Sequence, residues 1–298
     1  MRRCHLSTIL LLTILFYASA ALAGQNSRPD SRSAEMSAQT GAGPELQHTY
    51  TDNCPLCRQN SLQKYITGKL EEFQTEYPEL YAFAGEDNVR EFIRISLEKG
   101  KKHNLDADRE INGIRIMMLY LGSGFDEDPM YPWARLKTFP PKDYTEKNPD
   151  SWIFIQEIYA KFYRFFQEAT GDDLKYLRKA GKRLLLLNFG DIAILQTDAQ
   201  ILKMLAEVYP ERYAMIPEDA LVGPVLQAAE KMAVAHNMTQ QGGKALFAGM
   251  IFYYGISVDS NPLYRNLFTG LGEEAPHLSK EAALFFRLQK LVRQDMGM

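Results

Sequence analysis

The stretch Met117–Trp133, MMLYLGSGFDEDPMYPW, decides the reading of the whole chain, because a degraded copy, MIFYYGISVDSNPLYRN, stands at Met250–Asn266. Met117 aligns with Met250, Tyr120 with Tyr253, Gly122 with Gly255, Asp126 with Asp259, Pro129 with Pro262 and Tyr131 with Tyr264, all at a spacing of 133 residues. His103-Asn104 and His236-Asn237 share that spacing, and Tyr77-Pro78-Glu79-Leu80-Tyr81-Ala82 returns as Tyr209-Pro210-Glu211-Arg212-Tyr213-Ala214 at 132. So many matches in one register are the mark of an internal repeat. Two copies are expected, at about 60–140 and 195–275, each of three helices closed by a glycine and an Asp-x-x-Pro turn.

Working outward, the apolar residues recur at helical spacing. Leu62, Ile66, Leu70, Phe73 and Tyr77 lie three and four apart and predict a helix that starts at Pro55 and runs to about Tyr77. A second helix follows Glu86-Asp87-Asn88, with Val89, Phe92, Ile93 and Leu97 inward and Lys99, Lys101 and Lys102 near its C-terminus, where cations suit the helix dipole. A third, from about Asp106, carries Ile114, Met117, Met118 and Leu121 and ends at Gly122. Between the copies, Trp152, Phe154, Ile155, Ile158, Tyr159, Phe162, Tyr163, Phe165 and Phe166 leave little polar face, so the helix at 151–169 is expected to be buried nearly all round as a central post. Another helix starts at Gly171-Asp172-Asp173 and reaches the run Leu184–Leu187. The segment 184–195 fits two short strands or helices with a turn at Gly190, and its surroundings favour helices. A last helix spans Ser279 to about Gln294. The fold class is therefore all-α, a duplicated helical unit forming a pseudo-twofold bundle or short helical solenoid.

The N-terminus has the three parts of a secretory signal: Arg2 and Arg3, an apolar run from Leu6 to Tyr17, and Ala21-Leu22-Ala23 before Gly24. Residues 1–23 are expected to be cleaved, 24–50 to be a disordered tether poor in large apolar side chains, and 51–298 to be the helical domain. The expected location is periplasmic or secreted. No later stretch is long and apolar enough to be an integral membrane segment. Without Arg2 and Arg3 the chain has 32 basic and 37 acidic residues, interspersed. That balance excludes nucleic acid as the expected partner, and no basic amphipathic helix of a peripheral membrane protein stands out.

Cys54-Pro55-Leu56-Cys57 holds the cysteines that remain after cleavage. In an oxidising compartment Cys54 and Cys57 are expected to form a disulfide of modest stabilising effect, because the loop it closes is small. The same spacing at a helix start is that of thiol oxidoreductases. No strand precedes it, however, and no βαβ unit follows. A zinc site would need further ligands, so no metal or other cofactor is assigned. Asp126-Glu127-Asp128 has carboxylates for calcium, but the second copy keeps only Asp259 in Asp259-Ser260-Asn261, and a capped turn needs no more than Asp, Asn and Pro. His103 and His236 read as helix C-cap residues, and Ser123 and Ser257 lack the partners of a catalytic triad. No catalytic residue is assigned. The expected function is binding of a protein partner by a non-catalytic, exported accessory or immunity-type protein. Phe125, Asp126, Glu127, Asp128, Tyr131, Asp259, Asn261 and Tyr264 of the two turns are expected to form an exposed binding face. Charge reversal of Asp126 and Glu127 is then expected to abolish capture without unfolding. The competing readings are a periplasmic thiol–disulfide protein and a lipid or small-ligand carrier with an apolar cavity near Trp152 and Phe162.

Overall fold

Pro55, with φ preset for a first helical turn and no N–H to leave unpaired, opens α1, Pro55–Glu76. In this computed structural model residues 55–105, 107–140, 149–240, 242–271, 273 and 277–295 are described, and every regular element among them is helical. The expected leader, the tether, Cys54 and the side chain of Cys57 lie outside the described residues. The chain divides at Lys69–Leu70 into two units. Of the first, the described part is the leading portion of α1; the second carries everything that follows.

In the second unit Leu70 and Phe73 are buried, and the Phe73 ring meets Phe92 edge-on at 6.1 Å. After α2 (Pro78–Ala84), helix α3 (Glu86–Lys102) starts with Glu86 and Asp87 and ends with Lys99, Lys101 and Lys102, so both ends match the dipole. Helix α4 (Asp108–Leu121) begins where the Glu110 carboxylate accepts from the Ala107 N–H at 3.1 Å, and it buries Ile111, Ile114, Met117, Met118 and Leu121. Helices α3 and α4 follow the predicted periodicity, although Leu97 is only half-buried; α2 was not expected, and Leu62 of α1, predicted on its buried face, is exposed.

Helix α5 (Pro149–Thr170) departs from expectation. Only Ser151, Ile155, Ile158, Phe162, Phe165 and Ala169 are buried with Thr170; Ile153 is half exposed and the other face meets solvent. At its start two aromatics are flanked by cations, Arg109 lying 4.5 Å over Trp152 and Lys137 5.3 Å over Phe154, which also meets Phe139 edge-on at 5.4 Å.

Helix α6 (Lys175–Leu186) is followed directly by α7 (Phe189–Ala193). The break falls at Leu187–Asn188, not at Gly190. Asn188 caps α7, its side chain accepting from Asp191 N at 3.1 Å while Asp191 accepts from Asn188 N at 2.9 Å. Then come α8 (Asp198–Val208), capped by Thr197, and α9 (Pro210–Tyr213). A helical run follows from α10 (Glu218–Ala220) through a π turn at Leu221–Val225, where Pro224 sits, into α11 (Leu226–Ala235).

The most deeply buried helix is α12 (Gly243–Tyr254), which buries Ala245, Leu246, Phe247, Ala248, Met250, Ile251 and Phe252 and leaves Gly249 and Tyr253 partly open. Each large side chain so buried contributes about 2 kcal/mol, so α12 is the centre of the hydrophobic core. It packs against α4, α7, α8, α11 and the last helix, α13 (Lys280–Asp295). No helix among the described residues is long and apolar enough to cross a membrane.

Candidate functional site

Helices α4 and α12 end against each other. Gly122 (φ +97°, ψ 156°) and Gly255 (φ +89°, ψ 163°) hold a backbone conformation essentially confined to glycine. Proximity demands glycine as well: a Cβ on Gly122 would overlap the Tyr254 carbonyl oxygen, and one on Gly255 the Leu121 carbonyl oxygen. Beyond the glycines the chains are stitched together. Ser257 Oγ accepts from Gly124 N at 2.8 Å and lies 3.0 Å from Ser123 Oγ, and Asp128 Oδ2 accepts from Ile256 N at 2.8 Å.

The two turns have one hydrogen-bond pattern. Phe125 N donates to Gly122 O at 3.1 Å and Val258 N to Gly255 O at 3.2 Å; Tyr131 N donates to Asp128 O and Tyr264 N to Asn261 O, both at 3.0 Å. Asp128 Oδ1 accepts from Met130 N at 2.9 Å, as Asn261 Oδ1 does from Leu263 N at 3.2 Å. These are turns capped by their own Asp and Asn side chains. Among the described residues no group of three His, Cys, Asp or Glu stands where a metal could be held.

The expectation of an exposed face fails for most of these residues. Phe125, Asp126, Asp128, Tyr131, Asn261 and Tyr264 are all buried, and Asp259 is half-buried. Glu127 alone projects, reaching Lys102 at 3.2 Å. The cause is the abutment of the helix ends, which turns both loops inward.

Behind the turns lie two charged clusters. Asp126 pairs with Lys99 Nζ, and His103 Nε2 stands 3.8 Å from its other oxygen, too far for a hydrogen bond. His103 Nδ1 is 3.2 Å from Thr138 Oγ1. This resembles the order of a hydroxyl–His–carboxylate triad, but the Lys99 ion pair occupies the carboxylate and the His–Asp contact is open. It serves better to hold segment 135–140 on α3, where Asn104, at φ +56°, bonds Phe139 O and His103 O accepts from Phe139 N at 3.0 Å. Burial holds the His103 ring below its ordinary pKa, against the pull of Asp126. Burial likewise pushes Asp128 up to about 6, opposed by the N–H groups of Ile256 and Met130 and by Arg212. Arg212 is itself buried, donates to Tyr131 OH, and lies 5.6 Å from the Phe165 ring centre and 5.8 Å from that of Phe252. His236 caps α11 as predicted and stacks on Phe268 at 4.7 Å.

The open concave feature lies elsewhere. An apolar cleft, about 610 Å³ with the open solvent at its mouth included, runs between α6, α8, α12 and α13. Leu184, Met204, Leu246, Gly249, Tyr253 and Phe285 represent its walls. A Cβ on Gly249 would meet nothing within 4 Å, so this mid-helix glycine faces open space. Trp152 and Phe162, where a cavity was expected, are not among its lining residues. One sequence signal did point here: glycine inside a helix costs about 1 kcal/mol relative to alanine and calls for a reason. Of the Leu184–Leu187 run, Leu184 and Leu187 line the cleft, whereas Leu186 is exposed.

No protein-family model, curated protein or solved structure matches this chain.

Proposed function

We propose that this chain is an exported, non-catalytic binding protein, built by duplication of one helical unit, that captures a partner protein by taking an apolar segment of it into the cleft of the second copy. The cleft carries the reading: it is open, walled by aliphatic, methionine and aromatic side chains, and shaped between helices as the grooves that accept amphipathic helices are.

Duplication is supported by conformation as well as by sequence. Asn104 and Asn237 have φ of +56° and +57°, and Tyr77 and Tyr209 precede their prolines at φ −131° and −140°. With the turns and the paired glycines, these relate residues at spacings of 132 and 133. The copies then differ where a ligand site needs them to. Tyr120 is covered by Phe162 at 5.9 Å and Phe166 at 5.2 Å, whereas Tyr253, in the equivalent place, lines the cleft. Ile116 stands where the second copy has Gly249. One copy is filled and the other open. The leader-like sequence at 1–23 supports export, and the buried turns act as the seam between the copies rather than as the binding face.

The test is affinity capture from the periplasm with the tagged chain and with Gly249→Trp, whose side chain fills the cleft. A stoichiometric protein partner lost on Gly249→Trp, with unfolding unchanged, is the expected result. A partner retained by that variant sinks the cleft as the site, and co-purified lipid without protein moves the reading to a carrier.

A further inference from the structure

Along α6, Lys175, Lys179, Lys182 and Leu186 recur at intervals of four, three and four, and so lie on one face of the helix. The opposite face carries Ala180, which is buried, and Leu184, half-buried in the wall of the cleft. With Arg178 and Arg183 on its flanks, α6 (KYLRKAGKRLLL) holds five basic residues and no acidic one. The ion pairs of the described residues lie elsewhere. Arg178 and Arg183 donate only to the backbone carbonyls of Asp173 and Val208. At the end of this cationic face Leu186 is 83% exposed, and Ile194, just past α7, is 68% exposed.

A chain with net acidic composition has thus gathered five cations on one short helix, with Asp172 and Asp173 just before its start, Leu186 bare at its end and Ile194 bare eight residues further along the chain. A nucleic acid would take the charge and gain nothing from Leu186. An anionic bilayer takes both, the lysines at the phosphate level and the aliphatic tips among the headgroups. We propose that the outer face of α6, with Leu186 and Ile194, docks on a membrane surface rich in anionic phospholipid. Leu184 and Leu187 line the cleft whereas Lys179, Lys182, Leu186 and Ile194 do not, so membrane docking and partner capture rest on different side chains and each can fail alone.

The test is flotation of the exported chain, without residues 1–23 and their apolar run Leu6–Tyr17, with vesicles of phosphatidylcholine plus phosphatidylglycerol, compared with Lys179→Gln/Lys182→Gln and Leu186→Ser/Ile194→Ser in the same chain. Removing two cations is expected to lower partition roughly 25-fold, about fivefold for each charge. The Leu186/Ile194 variant is expected to lose the binding that survives raised salt. All four positions are exposed, so helix content by circular dichroism is expected to be unchanged. Absence of binding by the wild-type chain, or equal partition of the wild type and the lysine variant, overturns the proposal.

Discussion

The abutting glycines give the sharpest test of the fold. In Gly255→Ala the new methyl must adopt φ near +89° with ψ near 163°, which costs about 1–3 kcal/mol. It must also displace the Leu121 carbonyl, a backbone group that ends α4 and has no rotamer to yield, at a further cost of about 1–3 kcal/mol. Restriction of the unfolded chain returns roughly 0.5–1 kcal/mol. The net expectation is a loss of about 3 kcal/mol, a large share of a typical folding free energy. Gly249→Ala is the matched control: the same chemical change in the same helix, with no atom within 4 Å of the new Cβ, is expected to stabilise by somewhat under 1 kcal/mol. Urea unfolding followed by circular dichroism separates them. With an m-value of roughly 3 kcal/mol/M, Gly255→Ala should move the midpoint down by about 1 M. Equal midpoints for the two variants would refute the abutment of α4 on α12.

Burial pushes the Asp128 carboxyl from the ordinary 3.8 up to about 6, so its stabilising contribution is fully present below about pH 3.8 and is lost as pH rises through 6. Its share of stability should grow by on the order of 2 kcal/mol between pH 7 and pH 4. Asp128→Asn should remove that part of the pH dependence, and an unchanged slope in denaturation at several pH values would contradict it. Asp126→Ala leaves Lys99 without its partner in a largely buried place and should cost about 3 kcal/mol, whereas Glu127→Ala, at an exposed side chain, should cost less than about 0.5 kcal/mol. Reversing the charge of Asp126 is accordingly expected to destabilise the fold, contrary to the expectation for a surface residue, and the same denaturation series decides it. Phe252→Ala empties a fully buried position in α12 and should cost about 3–5 kcal/mol, while an equivalent truncation at half-exposed Phe286 should cost far less. The His103 ring should titrate below 6.5 by NMR, and its pKa should fall further in Asp126→Asn, because the carboxylate is what raises it; a rise would show that Asp126 does not face the ring.

Where helices begin and end was legible in the residues themselves. Pro55, Glu86-Asp87, Ser279, Gly122 and Gly255 act on the backbone within a turn of their own positions, and the elements start or stop at or beside each of them. Periodicity found the inward faces of α3 and α4 for the same reason. It misjudged α5, because aromatic content was taken for burial, and cations from neighbouring segments flank two of the aromatics at its start. It passed over α6 as a surface helix because four leucines in a row mask a face that appears only when the residues are set around an axis.

What the chain's sequence determined alone is the helical class, the caps, and the spacing that relates Met117–Trp133 to Met250–Asn266. These rest on local hydrogen bonding and side-chain period, which need no knowledge of neighbours. Tertiary structure decided which surfaces exist. It pressed the two glycine-ended helices together and so buried the charged turns, buried most of α12, and left a cleft over Gly249 and a cationic face on α6. Exposure is a property of what packs against a residue, and helices brought together from distant parts of the chain supply that packing.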